Sequence, residues 1–258
     1  MGIASDTIMT SKDKVISPSR SGVGQMFDRI AHRYDLLNRL LSFGRDQAWR
    51  RQLVGYVPND RPLELLDLAC GTADVMLTLL HHRPNIEHAM GLDLSANMLK
   101  LAKHKTRAIT PATGFVRGGA DRMPFASASF DLVTVAFGVR NFKYLETSLR
   151  EVYRVLKPGG RLLVLEFSLP QNRFWRWIYL RYFRTILPIV GGFISGDSQA
   201  YRYLNQSVES FPYGRSFCRL LKEAGFSDTQ NRPLTLGVAS VYCAMAGAGG
   251  NRSTELKR

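Results

Sequence analysis

The chain has 258 residues, 45% hydrophobic and 22% charged, which suits a folded globular protein with one well-buried domain and does not demand a second. Its 35 Lys and Arg against 21 Asp and Glu give a formal net charge of +14, which favours an anionic partner: nucleic acid, a membrane surface or an acidic small molecule. The three widely spaced cysteines fit neither a disulfide framework nor a zinc site, so we expect a cytoplasmic location and no metal.

The two ends of the chain are polar. Residues 1–21 are predicted to form a disordered arm and residues 248–258 a disordered tail, which leaves residues 22–247 as the folded domain. Residues 1–20 lack the apolar stretch of a signal peptide, and no segment has the ~20 uninterrupted apolar residues of a membrane span. We therefore expect any membrane contact to be peripheral.

The folded part begins with two predicted helices and continues as alternating strands and helices. Apolar residues recur at helical spacing up to residue 41, and a turn at residues 42–44 precedes a second helix that carries Trp49. Strands are then predicted at residues 65–70, 88–94, 114–118, 131–137 and 161–167, and helices at 73–82, 95–105 and 144–156. This alternation predicts a parallel sheet with both faces covered.

Later segments break the alternation. The run Lys-Pro-Gly-Gly at residues 157–160 predicts a helix end and a turn into the fifth strand. A long insertion, residues 170–211, precedes a helix at 213–224 and a final strand at 238–246.

Two carboxylates near strand ends suggest an adenosine cofactor. The loop from Asp67 to Asp74 joins the first strand to the first helix, and its small residues let a ligand approach the backbone closely. A glycine turn alone is weak evidence, because any doubly wound domain needs one. Asp93, however, ends the second strand 22 residues after Gly71, where its carboxylate can accept the ribose hydroxyls of an adenosine.

The sequence of the same loop distinguishes between two candidate cofactors. A dinucleotide needs the glycines of G-x-G-x-x-G beside its pyrophosphate, and Asp74 in the first helical turn would repel that group. The carboxylate would instead suit the cationic sulfonium or ammonium group of S-adenosylmethionine. After the third strand, Asp121 either accepts a hydrogen bond from the adenine amino group or caps the turn before Pro124.

Longer motifs resemble one enzyme family. Residues 27–38 (FDRIAHRYDLLN) with 41–44 (LSFG) resemble the N-terminal signature of the menaquinone and ubiquinone biosynthesis C-methyltransferases, and residues 137–141 (FGVRN) with 163–168 (LVLEFS) resemble their second signature. The resemblance runs from about residue 23 to 246. It implies the α/β class I methyltransferase fold: a doubly wound, mostly parallel seven-stranded sheet with an N-terminal helical lid (residues 22–57) and a helical insertion after the fifth strand.

The resemblance also implies a binding site. S-adenosylmethionine would be held by Tyr34, Asp67, Gly71, Thr72, Asp93, Gly119, Ala120, Asp121 and Ala136. Three positions depart from the family pattern. Ala73 replaces a usual glycine, Gly119 occupies a position often held by Asn or Asp, and Ala136 replaces a common serine.

The implied reaction is methyl transfer to a ring carbon of a prenylated quinol, with demethylmenaquinol as first candidate and the benzoquinol of the ubiquinone pathway as the alternative. Arg140 would stabilise the quinolate or activate it through a water, Asn141 would orient it and Tyr201 would border it. The alternatives are that Arg140 anchors a loop carboxylate and that the two tyrosines, Tyr34 and Tyr201, are core aromatics.

The insertion is predicted to carry a two-faced helix at residues 172–187. One face holds Trp175, Ile178, Tyr179, Tyr182, Phe183 and Ile186. The opposite face holds Arg173, Arg176, Arg181 and Arg184, with Trp177 among them. We expect the apolar face to cover the quinone pocket and the arginine face to attract an anionic membrane surface.

Nucleic acid is not an expected partner, although it would explain the positive charge. Methylation of base amino groups typically uses an Asn/Asp-Pro-Pro-aromatic loop after the fourth strand, where this chain has FGVR, and no cysteine follows a proline as a cytosine-C5 enzyme requires. A catalytically silent RNA-binding module is the non-enzyme alternative, which the complete set of cofactor motifs disfavours, and a homo-oligomer stays open.

Overall fold

The structure, a computed structural model, describes residues 22–42, 44–108, 113–186 and 198–247. Its helices are α1 (Val23–Leu41), α2 (Asp46–Val54), α3 (Asp74–His82), α4 (Ala96–Thr106), α5 (Leu145–Val155), α6 (Arg173–Arg181), α7 (Ser198–Ser210) and α8 (Arg215–Glu223). Its strands are β1 (Leu63–Leu68), β2 (Ile86–Asp93), β3 (Thr113–Arg117), β4 (Phe130–Ala136), β5 (Leu156–Phe167), β6 (Phe226–Leu234) and β7 (Ala239–Ala246).

The seven strands form one sheet in the order β3-β2-β1-β4-β5-β7-β6. The first five strands run parallel, while β7 is antiparallel to both β5 and β6. The predicted doubly wound, mostly parallel sheet is therefore confirmed. Strand order reverses between β1 and β4, and ligands in such sheets bind outside the carboxyl ends of the strands at that point.

Helices cover both faces of the sheet. On one face α2 and α3 bury Trp49, Leu53 and Met76 against the strands, and on the other α5 and α8 bury Val152 and Phe217. α2 packs into this core, whereas the start of α1 lies over the carboxyl ends of the strands. Among the described helices, none is long and apolar enough to cross a membrane.

The structure differs from the predicted strands at two places. The Lys-Pro-Gly-Gly run does not separate α5 from the fifth strand: Leu156 already pairs with Phe130, the next pair is Arg161 with Leu132, and residues 157–160 bulge out between them. The run thus makes a turn inside β5. The sixth strand along the chain, β6, had no predicted position because it has a polar sequence that contains Pro233. Among the described residues it is an edge strand that pairs with β7.

The insertion differs from the two-faced helix that its spacing predicts. Regular helix ends at Arg181 and a π-helical turn, Tyr182–Ile186, follows. Of the predicted apolar face, Tyr179 is buried, whereas Trp175 and Ile178 are exposed. The side chains of Phe183 and Ile186, and residues 187–197, lie outside the described part.

Candidate active site

A cavity of about 370 Å³ lies at the carboxyl edge of β1, β2, β3 and β4. Its walls include six of the predicted cofactor residues: Gly71, Asp93, Gly119, Ala120, Asp121 and Ala136. The start of α1 closes it from the other side through Gly24 and Phe27. The volume lies within the usual range for small-molecule and cofactor sites.

The loop between β1 and α3 turns tightly beside this cavity. Three alternate residues, Ala69, Gly71 and Ala73, have left-handed φ angles of 54°, 54° and 67°. Such angles suit glycine and cost an alanine free energy. The amide of Gly71 donates a hydrogen bond of 2.9 Å to Oδ2 of Asp93, which joins the loop to the end of β2.

Asp93 is held in place by the backbone. Its Oδ1 accepts a 2.8 Å hydrogen bond from the amide of Ser95, and Ser95 is the N-cap of α4 as predicted. Burial raises the pKa of Asp93, while the amides of Ser95 and Gly71 lower it in part. An ionised carboxylate has about four acceptor positions. Both oxygens can therefore accept a further hydrogen bond from a ribose hydroxyl in the cavity.

Asp67 lies beneath the loop with one oxygen unsatisfied. Its Oδ1 accepts a 2.7 Å hydrogen bond from the hydroxyl of Thr134, whereas Oδ2 has no hydrogen-bond partner of standard geometry among the described residues. Burial raises the pKa of Asp67 to about 7, against the lowering effect of Thr134 and of the nearby Met76 amide. A small cavity of about 20 Å³ adjoins it, lined by Arg50 and others. A buried carboxylate in this state suits a cationic ligand group.

Asp74 does not have the place that its sequence position suggests. Its Oδ1 lies 2.6 Å from Nζ of Lys105, and its Oδ2 lies 3.4 Å from Arg50. The carboxylate that we expected to face the cationic cofactor is therefore already paired with two basic side chains, which it shares with Asp35 and Asp46. Of the two acidic groups of the loop, Asp67 is the one left for a cationic ligand.

Two carboxylates fasten α1 over the cavity. Asp28 accepts hydrogen bonds from the Ser95 hydroxyl (2.5 Å) and the Asn97 amide (3.1 Å), and these bonds, with the Ser95 bond first, lower the pKa of Asp28. Two helical turns further along α1, Asp35 accepts hydrogen bonds from the Thr72 hydroxyl (2.7 Å) and from Nζ of Lys105 (2.6 Å). The predicted cofactor residue Thr72 thus faces α1 and not the large cavity.

Sequence reasoning missed Asp28, Asp35 and Lys105 as site residues. A signal was present, because Asp28 and Asp35 are seven residues apart inside the signature segment 27–38 and therefore share one helix face. Nothing in the sequence marks Lys105, whose Nζ also donates to Thr72 at 2.8 Å.

The adenine side of the cavity explains one departure from the family pattern. A Cβ atom added to Gly119 would lie 2.7 Å from Oδ1 of Asp121. The carboxylate of Asp121 thus occupies the space that an Asn or Asp side chain at position 119 would need.

The residues after β4 divide between the cavity and the core. Arg140 is buried: its Nη1 lies 2.5 Å from Oε1 of Glu166 and donates to the carbonyl of Phe137 at 2.6 Å. This arrangement is the alternative in which Arg140 anchors a carboxylate, and Arg140 does not line the large cavity. Asn141 does line it, and its Oδ1 accepts a 3.0 Å hydrogen bond from the hydroxyl of Tyr203.

Two predicted tyrosines fall on helices whose side chains are only partly described. Tyr34 lies on α1 and Tyr201 on α7. Their side chains lie outside the described part of the chain, so their contacts with cofactor or quinol stay predictions.

The fold and this cavity together define a class I methyltransferase. A family model described as the ubiE/COQ5 methyltransferase family matches residues 11–246. The chain belongs to this family and is an S-adenosylmethionine-dependent methyltransferase.

Relatives and solved structures agree with this assignment. The chain is 46% identical over 217 residues to a demethylmenaquinone methyltransferase of Thermus thermophilus, covering 84% of this chain and 98% of that one. It is 44% identical over 225 residues to a ubiquinone/menaquinone biosynthesis C-methyltransferase of Geotalea daltonii, covering 85% and 94%. A S-adenosylmethionine-dependent methyltransferase structure from Aquifex aeolicus shares the fold, with a TM-score of 0.58, 13% identity and coverage of 82% and 97%.

Proposed function

We propose that the chain methylates a ring carbon of a prenylated quinol, with demethylmenaquinol as the acceptor and the benzoquinol of the ubiquinone pathway as the alternative. The observation that carries this proposal is similarity along 98% of a relative named demethylmenaquinone methyltransferase. The relatives' names do not favour a nucleic-acid substrate.

The chemistry requires a reduced acceptor. S-adenosylmethionine supplies an electrophilic methyl group when it is bound. A quinone ring is itself electrophilic, so the acceptor must be the quinol, whose deprotonated hydroxyl makes the neighbouring ring carbon nucleophilic. The new carbon–carbon bond takes its electron pair from the ring, the sulfur–methyl bond breaks, and the ring proton leaves to solvent or to a base. The protein's part is to position both molecules and exclude water.

The cofactor residues have separate tasks in this proposal. Asp93 accepts the ribose hydroxyls, Gly119, Ala120 and Asp121 contact the adenine, and the unsatisfied oxygen of Asp67 accepts the ammonium group. α1 acts as the lid, fastened by its two aspartates. The fit rests on the orphaned buried oxygen of Asp67, which a cationic group would satisfy.

At the end of β4, Asn141 orients the quinolate, and Tyr201 borders it. Arg140 is a positioning residue, because its hydrogen bonds to the Phe137 carbonyl and to Glu166 hold the turn that carries Asn141. A direct contact of Arg140 with the quinolate would require the buried pair with Glu166 to open.

The membrane is the second proposed partner. Arg173, Arg176 and Arg181 on α6 are exposed together with Trp177, and arginine beside tryptophan suits a phosphate-rich bilayer surface. We expect binding to anionic vesicles at low salt that weakens as salt rises. Co-sedimentation with anionic and neutral vesicles measures this, and absence of binding to anionic vesicles at low salt contradicts it.

The enzymatic proposal is tested by methyl transfer from labelled S-adenosylmethionine. Demethylmenaquinol and its benzoquinol counterpart are offered side by side, each in reduced and oxidised form. We expect labelled product from a quinol and none from a quinone. A folded protein that binds S-adenosylmethionine and labels neither quinol would refute the proposal.

A further inference from the structure

A second cavity, of about 470 Å³, lies between α6 and the turn that joins β6 to β7. We call it the α6 groove. The opposite walls are formed by Leu236 and Val238 of the turn and by α6 with the residue after it, which contribute Trp175, Trp177, Ile178, Tyr179, Arg181 and Tyr182. Nearly all of this surface is apolar, as is typical of small-molecule sites.

The turn that forms the second wall is strained and firmly held. Thr235 and Leu236 have left-handed φ angles of 46° and 58°, a conformation that non-glycine residues rarely adopt. The indole of Trp49 donates to the hydroxyl of Thr235 at 2.8 Å, and the hydroxyl of Ser168 donates to the carbonyl of Gly237 at 2.7 Å. These bonds keep the side chain of Leu236 65% exposed at the groove. Backbone strain of this kind clusters at ligand clamps.

The α6 groove begins close to the acceptor end of the active site. Pro170, which follows β5, lines it, and a Cβ atom added to Gly237 would lie 3.2 Å from Cα of Pro170, so the turn packs directly on this segment. Tyr179 lines the groove and is also close to Arg140 and Glu166, because both charges influence its pKa, which burial raises. The guanidinium carbon of Arg140 also lies 5.4 Å from the ring centre of Phe167, three residues before Pro170, so the groove lies near the ion pair at the ends of β4 and β5.

We propose that the α6 groove binds the prenyl chain of the quinol while the ring lies at the end of β4. This proposal rests on the proposed function. The ligand must be apolar to match the walls, and it must begin near Tyr179 to be continuous with the acceptor site. A prenyl chain attached to the quinol ring meets both conditions. A bilayer surface would instead contact every exposed apolar side chain of α6, including Phe174, which lies outside the groove.

The test compares two acceptors that differ in the chain alone: demethylmenaquinol with a prenyl chain of several units, and menadiol, which has a methyl group in its place. The variant is Leu236→Asn, because asparagine is polar and tolerates a left-handed backbone, so folding is preserved. We expect the preference for the prenylated quinol, as a ratio of kcat/KM values, to fall roughly tenfold, with kcat/KM for menadiol and the Kd of S-adenosylmethionine unchanged.

Phe174→Ser is the matched control, since Phe174 is 62% exposed on the same helix but does not line the groove. We expect it to keep the preference. If Leu236→Asn leaves the ratio unchanged, or lowers both acceptors equally, the proposal is wrong. If Phe174→Ser lowers the ratio as strongly, contact with detergent or lipid explains the effect and the proposal is also wrong.

A binding measurement separates this proposal from the function on which it rests. Geranylgeraniol, a prenyl chain without a ring, is titrated while the fluorescence of Trp175 and Trp177 is followed. Binding by the wild type that Leu236→Asn weakens supports the groove even if neither quinol is methylated, in which case the proposed function fails. Methylation without geranylgeraniol binding and without a chain preference overturns the groove and leaves the proposed function standing.

Discussion

The cofactor cavity and the α6 groove, which we call the cofactor half and, on our proposal, the acceptor half, are built differently. Around Asp93 and Asp67 the geometry is set by backbone amides and buried carboxylates, and the helix above is fastened by two aspartates. Around the α6 groove the walls are aromatic and aliphatic, and the helix that forms one wall has most of its side chains exposed. A polar, charged donor needs directed hydrogen bonds, whereas a prenylated acceptor needs apolar area. Substitutions in each region test this difference.

The largest expected effect lies where the two halves meet, at the buried pair of Arg140 and Glu166. Arg140→Met leaves the fully buried Glu166 without its guanidinium, and losing one member of a buried pair costs about 3–5 kcal/mol of unfolding free energy. Denaturant unfolding measures this. The double variant Arg140→Met/Glu166→Met should regain most of the stability and much of kcat. An Arg140→Met protein of normal stability with almost no kcat would instead show direct contact with the acceptor.

Removal of the Asp93 carboxylate tests the donor half alone. Asp93→Ala deprives the Gly71 and Ser95 amides of their acceptor and the ribose of its partner, so we expect the Kd of S-adenosylmethionine to rise on the order of 100-fold. Calorimetric titration measures it. Asp60→Ala, at an exposed position, is the matched control. A Kd within twofold of the wild type would remove Asp93 from the site.

The pKa of Asp67, which burial raises to about 7, predicts a pH dependence of the ligand-free protein. Because the folded state holds the proton more tightly than the unfolded state, this group's contribution to stability is present at low pH and is lost as pH rises through 7. We expect the unfolding free energy to fall by about 1 kcal/mol between pH 6 and pH 8 relative to Asp67→Asn. An identical pH profile in Asp67→Asn would contradict the assignment.

The fastening of α1 should have a smaller effect, on affinity rather than on chemistry. Lys105→Met removes the cation that holds Asp35, Thr72 and Asp74 together. We expect a Kd for S-adenosylmethionine roughly fivefold higher, since partly exposed ion pairs contribute up to about 1 kcal/mol, with kcat at saturation unchanged. Lys103→Met, an exposed lysine of the same helix, is the control. A loss of kcat without a change in Kd would show that Lys105 does not act through the lid.

The smallest effect concerns the loop itself. Ala73 has a left-handed backbone at a position where the family usually has glycine. Ala73→Gly should therefore relieve backbone strain of about 1 kcal/mol. The greater flexibility of glycine in the unfolded chain offsets part of this gain. We expect the melting temperature to stay the same or rise slightly, with affinity unchanged. A clear drop in melting temperature would show that the buried Cβ of Ala73 matters more than its backbone angle.

The donor half could be predicted from the sequence better than the acceptor half. Strand ends fix where Asp93 and the loop at Gly71 lie, because parallel strands bring their carboxyl ends to one edge. Asp74 was assigned wrongly because its neutralising partner, Lys105, is 31 residues away and carries no local signal. The sequence predicted an apolar face on the helix that forms one wall of the α6 groove. The opposite wall could not be predicted, since it depends on a left-handed backbone at Leu236 and on the packing of two segments distant in sequence.

The atom of the acceptor that receives the methyl group distinguishes carbon methylation from oxygen methylation. Purified protein is incubated with S-adenosylmethionine labelled with carbon-13 in its methyl group and with demethylmenaquinol, and the product is examined by NMR. We predict a labelled methyl resonance on the ring carbon beside the prenyl chain. A labelled methyl ether on a ring oxygen, or no labelled quinone from protein that binds S-adenosylmethionine, would contradict it.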